Sequence, residues 1–341
     1  MSILHKNPTP FIIAEMSGNH NQSLDKALEI VRAAAASGAH ALKLQTYTAD
    51  TITIRGAYTI ADNNSLWKGE ELYDLYSKAY TPWEWHKPIF HLANQLGMMA
   101  FSSPFDESAV DFLESLNVPI YKIASFENTH HPLLRKVAAT GKPVIMSTGV
   151  ASIDDIAESV EVLKSSGCKE IVLLKCTSTY PASPANSNLL TIPYLKQRFN
   201  CEVGLSDHTM GIGVSIAAVA LGATVIEKHF TINRAEGGVD SAFSMEPDEM
   251  KLLVEESQKA FWALGSIQTQ VQPAEEKSLL YKRSIYVAAD IMAGELFTES
   301  NLRIIRPALG LVPKEWENVL GKRSTSDISA GTPLAASMVE K

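Results

Sequence analysis

Short apolar runs alternate with stretches of helical length through most of this chain. Residues 11–14, 41–46, 98–101, 121–125, 143–146, 171–176, 203–205 and 224–226 read as strands, each closing on Ser, Thr, Gly, Asn, His or a charged residue. Between them lie helix signals. Ser23 caps a predicted helix over 24–37, with Gly38 as its stop. Thr81-Pro82-Trp83-Glu84 opens another, 153–166 is amphipathic, and 247–264 ends at Gly265. The run 214–221 is apolar on every side, which predicts a buried helix. Residues 47–81 read as irregular and are too long for an ordinary connection. Eight strands alternating with helices predict a (β/α)8 TIM barrel over residues 1–267.

The pattern then changes. Residues 268–280 are polar, include Pro273 and show no apolar period, so they read as a linker. Over 281–341 the runs are short and turn-rich, and Ile-x-Ala-Gly occurs twice, from Ile291 and from Ile328. This predicts a small β-rich module, too small to be very stable alone and therefore expected to dock on another surface.

Composition narrows the function classes. Hydrophobic residues are 45% and charged ones 20% of the chain, as in a soluble globular protein. The net charge of −8, without any basic run, argues against nucleic acid as a partner. No apolar stretch approaches the ~18 residues of a membrane span, and no leader-like segment opens the chain. Cys168, Cys176 and Cys201 follow no metal-binding spacing, which suits a reducing, cytoplasmic setting.

Two strand ends carry candidate chemistry. Ser206-Asp207-His208-Thr209 follows the seventh strand and Glu227-Lys228-His229 the eighth. In a parallel barrel all C-terminal strand ends share one mouth, where the chemistry is done. Two imidazoles there can bind a divalent ion and leave positions open for water and substrate; either histidine alone reads better as structural, and it is the two at matched strand ends that point to a site. Lys43 and Gln45 share one face of the second strand; a lysine among apolar neighbours must meet something charged.

These strand ends carry a resemblance. Ile13-Ala14-Glu15 with Gly18-Asn19-His20, Lys43-Leu44-Gln45-Thr46, Ser102-Ser103-Pro104-Phe105, Tyr121-Lys122-Ile123-Ala124-Ser125, Ser147-Thr148-Gly149, Gly204-Leu205-Ser206-Asp207-His208-Thr209 and Ile226-Glu227-Lys228-His229-Phe230 resemble the sialic acid synthase family. The segments SLWKGEELYDLY, KCTSTYPASPANSNL and GGVDSAFS look like its pseudaminate-forming branch, and residues 281–341 resemble its antifreeze-like (SAF) domain. The resemblance implies condensation of phosphoenolpyruvate with the aldehyde of an acetamido sugar, releasing phosphate. It implies a divalent ion such as Mn²⁺ or Mg²⁺ on His208 and His229. It also implies phosphoenolpyruvate binding by Lys43, Ser103, Lys122, Ser125, Ser147 and Ser206, with Gln45 beside Lys43. Glu15 and Glu127 become the carboxylates for proton transfer or water positioning. The resemblance further implies a domain-swapped homodimer, in which Arg306 from one chain reaches the sugar's acyl group on the other.

Two departures fall on the sugar side. Neuraminate-forming members carry CTNxYP where this chain has Ser178 before Tyr180-Pro181, and GPDH where it has Gly237-Gly238-Val239-Asp240. Ser178, Tyr180, Asp240 and Phe105 are thus the expected sugar contacts, and the acceptor is expected to be a 2,4-diacetamido-2,4,6-trideoxy hexose. Synthesis of N-acetylneuraminate or legionaminate, a metal-dependent pyruvate aldolase and a non-catalytic sugar-binding protein are the alternatives.

Overall fold

The computed structural model describes residues 8–63 and 66–341. The chain divides into two compact units, one reaching Gly265 and the other running from Ser266 to Lys341.

The first unit is a closed barrel of parallel strands: β1 (Phe11–Glu15), β2 (Ala41–Thr46), β3 (Met99–Pro104), β4 (Tyr121–Ile123), β5 (Val144–Ser147), β6 (Ile171–Cys176), β7 (Glu202–Ser206) and β8 (Val225–His229). Closure pairs β1 with β8, setting Glu15 opposite His229. Helices α1 (Leu24–Ala36), α2 (Ala49–Ile52), α3 (Leu72–Ala79), α4 (Trp83–Gln95), α5 (Glu107–Ser115), α6 (His131–Ala138), α7 (Ile153–Ser165), α8 (Thr191–Phe199), α9 (Gly213–Ala220) and α10 (Pro247–Leu264) lie along it in order. Ser23 caps α1 by accepting the Lys26 amide, and Ser152 and Asp155 form a reciprocal box at the start of α7.

Period-two alternation divides the strand residues into two cores. Ile13, Ala41, Phe101, Ile120, Ile145, Val172, Leu174 and Val225 pack together inside the barrel. Ile12, Ala14, Leu42, Leu44, Tyr121, Met146, Leu173, Leu205 and Ile226 face the helices and form the larger outer core. Gly204 is required in the inner layer, because a Cβ there would meet the Val225 carbonyl oxygen at 2.2 Å.

Two expectations need correction. Helix α9 is apolar all round, yet only Ser215, Ala218 and Val219 are buried; it lies in the outer ring with one face covered. Residues 47–81 are not irregular throughout, since they carry α2 and α3, the former closed by a Thr48–Thr51 capping box. Trp67, also in this excursion, donates its indole N–H to the Val239 carbonyl at 3.1 Å.

The second unit pairs β9 (Ser284–Val287) with β10 (Leu302–Ile305), antiparallel, over a core of Ile285, Val287, Ile291, Phe297, Leu302, Val319, Ile328 and Leu334. The two Ile-x-Ala-Gly repeats meet each other: Ile291 and Ile328 exchange both backbone hydrogen bonds, at 2.9 and 2.8 Å. Residues Pro273–Tyr281, which overlap the expected linker over 268–280, form a 3₁₀ helix with no buried residue.

Candidate active site

The inward-facing side chains one step above the barrel's inner core are polar: Glu15, Lys43, Ser103, Lys122, Ser147 and Glu227, with Ser206 beside Glu227. A strand that places Ile13 or Val225 inside must place Glu15 or Glu227 inside two residues later. All seven are buried. Lys43 Nζ lies 2.6 Å from Glu15 and 3.6 Å from Glu227, and Lys122 Nζ lies 3.1 Å from Glu227. Lys43 also approaches Ser103 Oγ at 3.4 Å, and Ser206 donates to Glu227 at 3.2 Å.

This cluster separates the carboxyl groups electrically. Burial raises Glu227, but the ammonium groups of Lys122 and Lys43 outweigh it and hold the carboxyl at about 2. Burial pushes Glu15 up to about 7, with Glu227 adding to the rise and Lys43 only partly opposing it. Glu127, in the short turn after β4, is likewise raised to about 7 by burial, against a weaker pull from Lys122. Burial lowers Lys122 overall, whereas for Lys43 the two carboxylates outweigh burial and raise it.

Several buried polar atoms have no hydrogen-bond partner: Glu15 Oε1, Glu127 Oε2, Glu227 Oε2, Ser147 Oγ and His229 Nδ1. Such orphans are rare in folded proteins and mark places where a ligand or water completes the bonding. Beside Ser147, Gly149 donates its N–H to Ser125 Oγ at 3.2 Å. A Cβ on Gly149 would meet Ser178 Oγ at 2.2 Å and Ser125 Oγ at 2.6 Å, so glycine is what lets three strand-end loops close together.

His208 and His229 lie side by side, their ring centroids 5.4 Å apart. His208 Nδ1 is 3.0 Å from the Thr177 carbonyl; a carbonyl only accepts, so Nδ1 carries a proton, and although burial opposes it, the Cys176 sulfur and this carbonyl raise His208 above the ordinary imidazole value. Burial, reinforced by His208, Lys43 and Lys122, drives His229 far below the ordinary imidazole range and keeps it neutral. Neutral imidazoles are the ligating form. Among the described residues no cluster of three or more His, Cys, Asp or Glu is placed to enclose a cation. The pair does not form a closed structural site, and any ion on it would need its remaining ligands from water and substrate.

An aromatic wall stands next to the imidazoles. Tyr180 lies 4.4 Å from His208 and 5.2 Å from Phe243, centroid to centroid; Phe243 is 5.0 Å from His229, and Trp67 is 6.2 Å from Tyr180. Asp240 is half-buried, accepts a short hydrogen bond from Ser17 Oγ and approaches His229 Nδ1 at 3.9 Å. Of the other sequence-derived candidates, Gln45 is half-buried at the end of β2, and Phe105 packs edge-on against Tyr47, 5.1 Å away. Arg306 is in the second unit, exposed, on a cavity of about 500 Å³ with Tyr281, Lys282, Arg283 and Pro313.

Sequence reasoning missed Glu227, the carboxylate that both lysines share. Its spacing puts it on the same face of β8 as His229, but only the register, Glu227 beside Ile13, shows that this face is the lumen. Ser17 was also missed as a support residue, and so was Cys176. Burial opposes ionisation of the Cys176 thiol, yet His208, 3.9 Å from its Sγ, brings it down to about 7. A cavity of about 930 Å³ lined by Val150, Ile153, Lys175, Leu189 and Tyr194 borders Cys176, but none of the orphaned groups lines it.

Comparison with known proteins agrees with this geometry. The sequence model of the NeuB family matches residues 30–269, and that of the SAF domain matches residues 282–340. The chain is 42% identical to a pseudaminic acid synthase of Campylobacter jejuni over 325 residues, covering 95% of each chain. It is 42% identical to a pseudaminic acid synthase of Helicobacter pylori, over 97% of this chain and 98% of that one. An N,N'-diacetyllegionaminic acid synthase of Legionella pneumophila is 38% identical over 97% of this chain and 95% of its own. The crystal structure of an N-acetylneuraminic acid synthetase from Leptospira borgpetersenii, in complex with citrate, superposes with a TM-score of 0.71 at 32% identity, over 80% of this chain and 91% of that one. With more than half of its length matched, and relatives of this identity along nearly all of it, the chain belongs to the NeuB family and carries a SAF domain at its C-terminal end.

Proposed function

We propose that this protein is a pseudaminic acid synthase, condensing phosphoenolpyruvate with a 2,4-diacetamido-2,4,6-trideoxy hexose and water to give pseudaminic acid and phosphate. The observation that carries this reading is the buried cluster of Lys43 and Lys122 around Glu227, set beside the imidazoles of His208 and His229 and five orphaned polar atoms. Two ammonium groups with one firmly ionised carboxylate leave a local positive balance whenever Glu15 and Glu127 are protonated. That balance suits a small polyanion in an otherwise acidic protein.

In this reading Lys43 and Lys122 hold the carboxylate and phosphate of phosphoenolpyruvate, and Gln45, Ser103, Ser125, Ser147 and Ser206 donate to their oxygens. His208 and His229 would hold a divalent ion, Mn²⁺ or Mg²⁺ or similar, whose chemistry there would be polarisation of the acceptor's aldehyde. Carbon 3 of phosphoenolpyruvate then bonds to the aldehyde carbon. Water adds at carbon 2, and loss of phosphate from that carbon leaves the keto group. Glu15 and Glu127, each near 7, are poised to take or give the protons of these steps at neutral pH. Tyr180, Phe243 and Phe105 line the acceptor's side with Ser178, and Asp240 accepts from its hydroxyl or amide groups. Arg306 contacts the acyl group from the second chain of a domain-swapped homodimer.

Phosphate release from phosphoenolpyruvate, measured with a panel of acceptors, tests the proposal. Turnover with the diacetamido trideoxy sugar should exceed that with N-acetylmannosamine by at least tenfold. Equal or greater turnover with N-acetylmannosamine assigns the enzyme to neuraminate synthesis, and pyruvate-driven condensation without phosphate release makes it an aldolase.

A further inference from the structure

Asp207 and Lys228 alternate with the residues of the site and point the other way. Asp207 separates Ser206 from His208, and Lys228 separates Glu227 from His229. The pair consequently lies on the outside of the barrel, against Ser215 of α9. Both side chains are sealed from solvent, at 2% and 1% exposure, and their charged atoms are 3.0 Å apart. Nothing in the proposed reaction uses them.

Their hydrogen bonds converge on the loop that carries His208. Asp207 Oδ1 accepts from the Thr209 backbone N–H at 2.9 Å and its hydroxyl at 2.8 Å, and Oδ2 accepts from Ser215 Oγ at 2.6 Å. Lys228 Nζ donates to Asp207, to the Thr209 carbonyl at 2.7 Å and to the Gly211 carbonyl at 2.9 Å. All three ammonium protons are used, so the network is complete. His208 itself lies just beyond the end of β7, where the last backbone bond to β8 is from the Asp207 amide to the Glu227 carbonyl at 2.9 Å and the His208 carbonyl accepts from Ala182 at 2.9 Å. Residue 228 is on β8, next to His229, so this one ammonium group ties the first imidazole's loop to the second imidazole's strand.

We infer that the Asp207–Lys228 pair is a positioning device that sets the separation and orientation of His208 and His229, and through them the affinity for a divalent cation. The inference rests on the proposed metal role of those histidines. With only two protein ligands, chelation depends heavily on their mutual geometry, and loss of groups that orient metal ligands weakens binding by about 10- to 100-fold. Lys228 stays paired by its carboxylate and two carbonyls, so the device is built from a charge that would otherwise be costly to bury.

The test uses the full chain with Mn²⁺ as the probe, free ion being read by electron paramagnetic resonance. Asp207→Leu/Lys228→Met removes both charges together, a change that often leaves stability intact. A folded double variant should bind Mn²⁺ at least tenfold more weakly than wild type. Its metal-free amides at 207–211 should exchange faster, with β4 unchanged and phosphoenolpyruvate binding to the metal-free protein kept within about twofold. Mn²⁺ affinity equal to wild type in the folded variant overturns the inference. Should the double variant not fold, Ser215→Ala removes one bond to Asp207 and is judged the same way: a threefold or greater weakening supports the device, and an unchanged affinity overturns it. Failure of wild type itself to bind Mn²⁺ overturns the metal reading and this inference with it, and is told apart by appearing before any substitution.

Discussion

Binding of phosphoenolpyruvate should draw protons into the protein. Glu15 and Glu127 both sit near 7, so at pH 7.5 each is ionised in about three quarters of the molecules. In the free protein the main brake on Glu15 protonation is Lys43, at 2.6 Å. An incoming phosphate or carboxylate takes over that ammonium group and adds its own negative charge, while burial and Glu227 continue to raise Glu15. Glu127 loses part of the pull of Lys122 in the same way. If the anion drives both carboxyls fully to the neutral form, uptake reaches about 1.5 protons per site at pH 7.5 and falls toward zero near pH 5, where both are already protonated. Calorimetric titration with phosphoenolpyruvate, in buffers of different ionisation enthalpy at one pH, measures this number directly. Glu127→Gln should cut it roughly in half without abolishing binding. Uptake near zero at pH 7.5 in wild type, or an undiminished uptake in the variant, refutes the reasoning.

Three further outcomes follow from the same site. Lys122→Met should raise the Michaelis constant for phosphoenolpyruvate about 10- to 100-fold and that for the sugar far less, by loss of a charge-assisted pair of about 1.5–3 kcal/mol; an equal change in both marks the lysine as structural. Because it strands Glu227 on Lys43 alone, the variant should also be less stable by about 3–5 kcal/mol, visible as a lower thermal midpoint. His208→Ala or His229→Ala should remove most turnover, and chelation should silence wild type until a divalent ion is restored; full activity in protein shown metal-free by elemental analysis excludes the ion. An Arg306→Ala chain mixed with a His208→Ala chain, each nearly inactive, should regain activity in heterodimers, and no recovery in verified heterodimers rules out sharing of sites between chains.

What the sequence discloses and what it hides both follow from alternation along strands. The barrel is legible because Ile12, Leu42, Leu173 and Ile226 face the helices while Ile13, Ala41, Val172 and Val225 face one another inside, leaving continuous apolar runs that end abruptly on polar residues. Lys43 and Lys122 are legible because a charge in such a run has no bland explanation. Glu227 is not, since in a polar triplet that follows an apolar strand any of the three residues can turn inward. Only the register settles it: Val225 pairs with Phe11 and His229 with Glu15, so Glu227 falls beside Ile13, facing the lumen. The same register sends Lys228 outward, where it meets Asp207, whose own neighbours Ser206 and His208 point in. Contacts made across long separations, such as Ser17 with Asp240 or Trp67 with Val239, leave no pattern in the chain at all, because neither partner's local spacing depends on the other. In the proposed reading the inward residues of the two triplets serve substrate and ion, and the outward ones hold the loops still. A substitution that spares every substrate contact, yet alters the outward pair, should weaken ion binding without weakening the anion site.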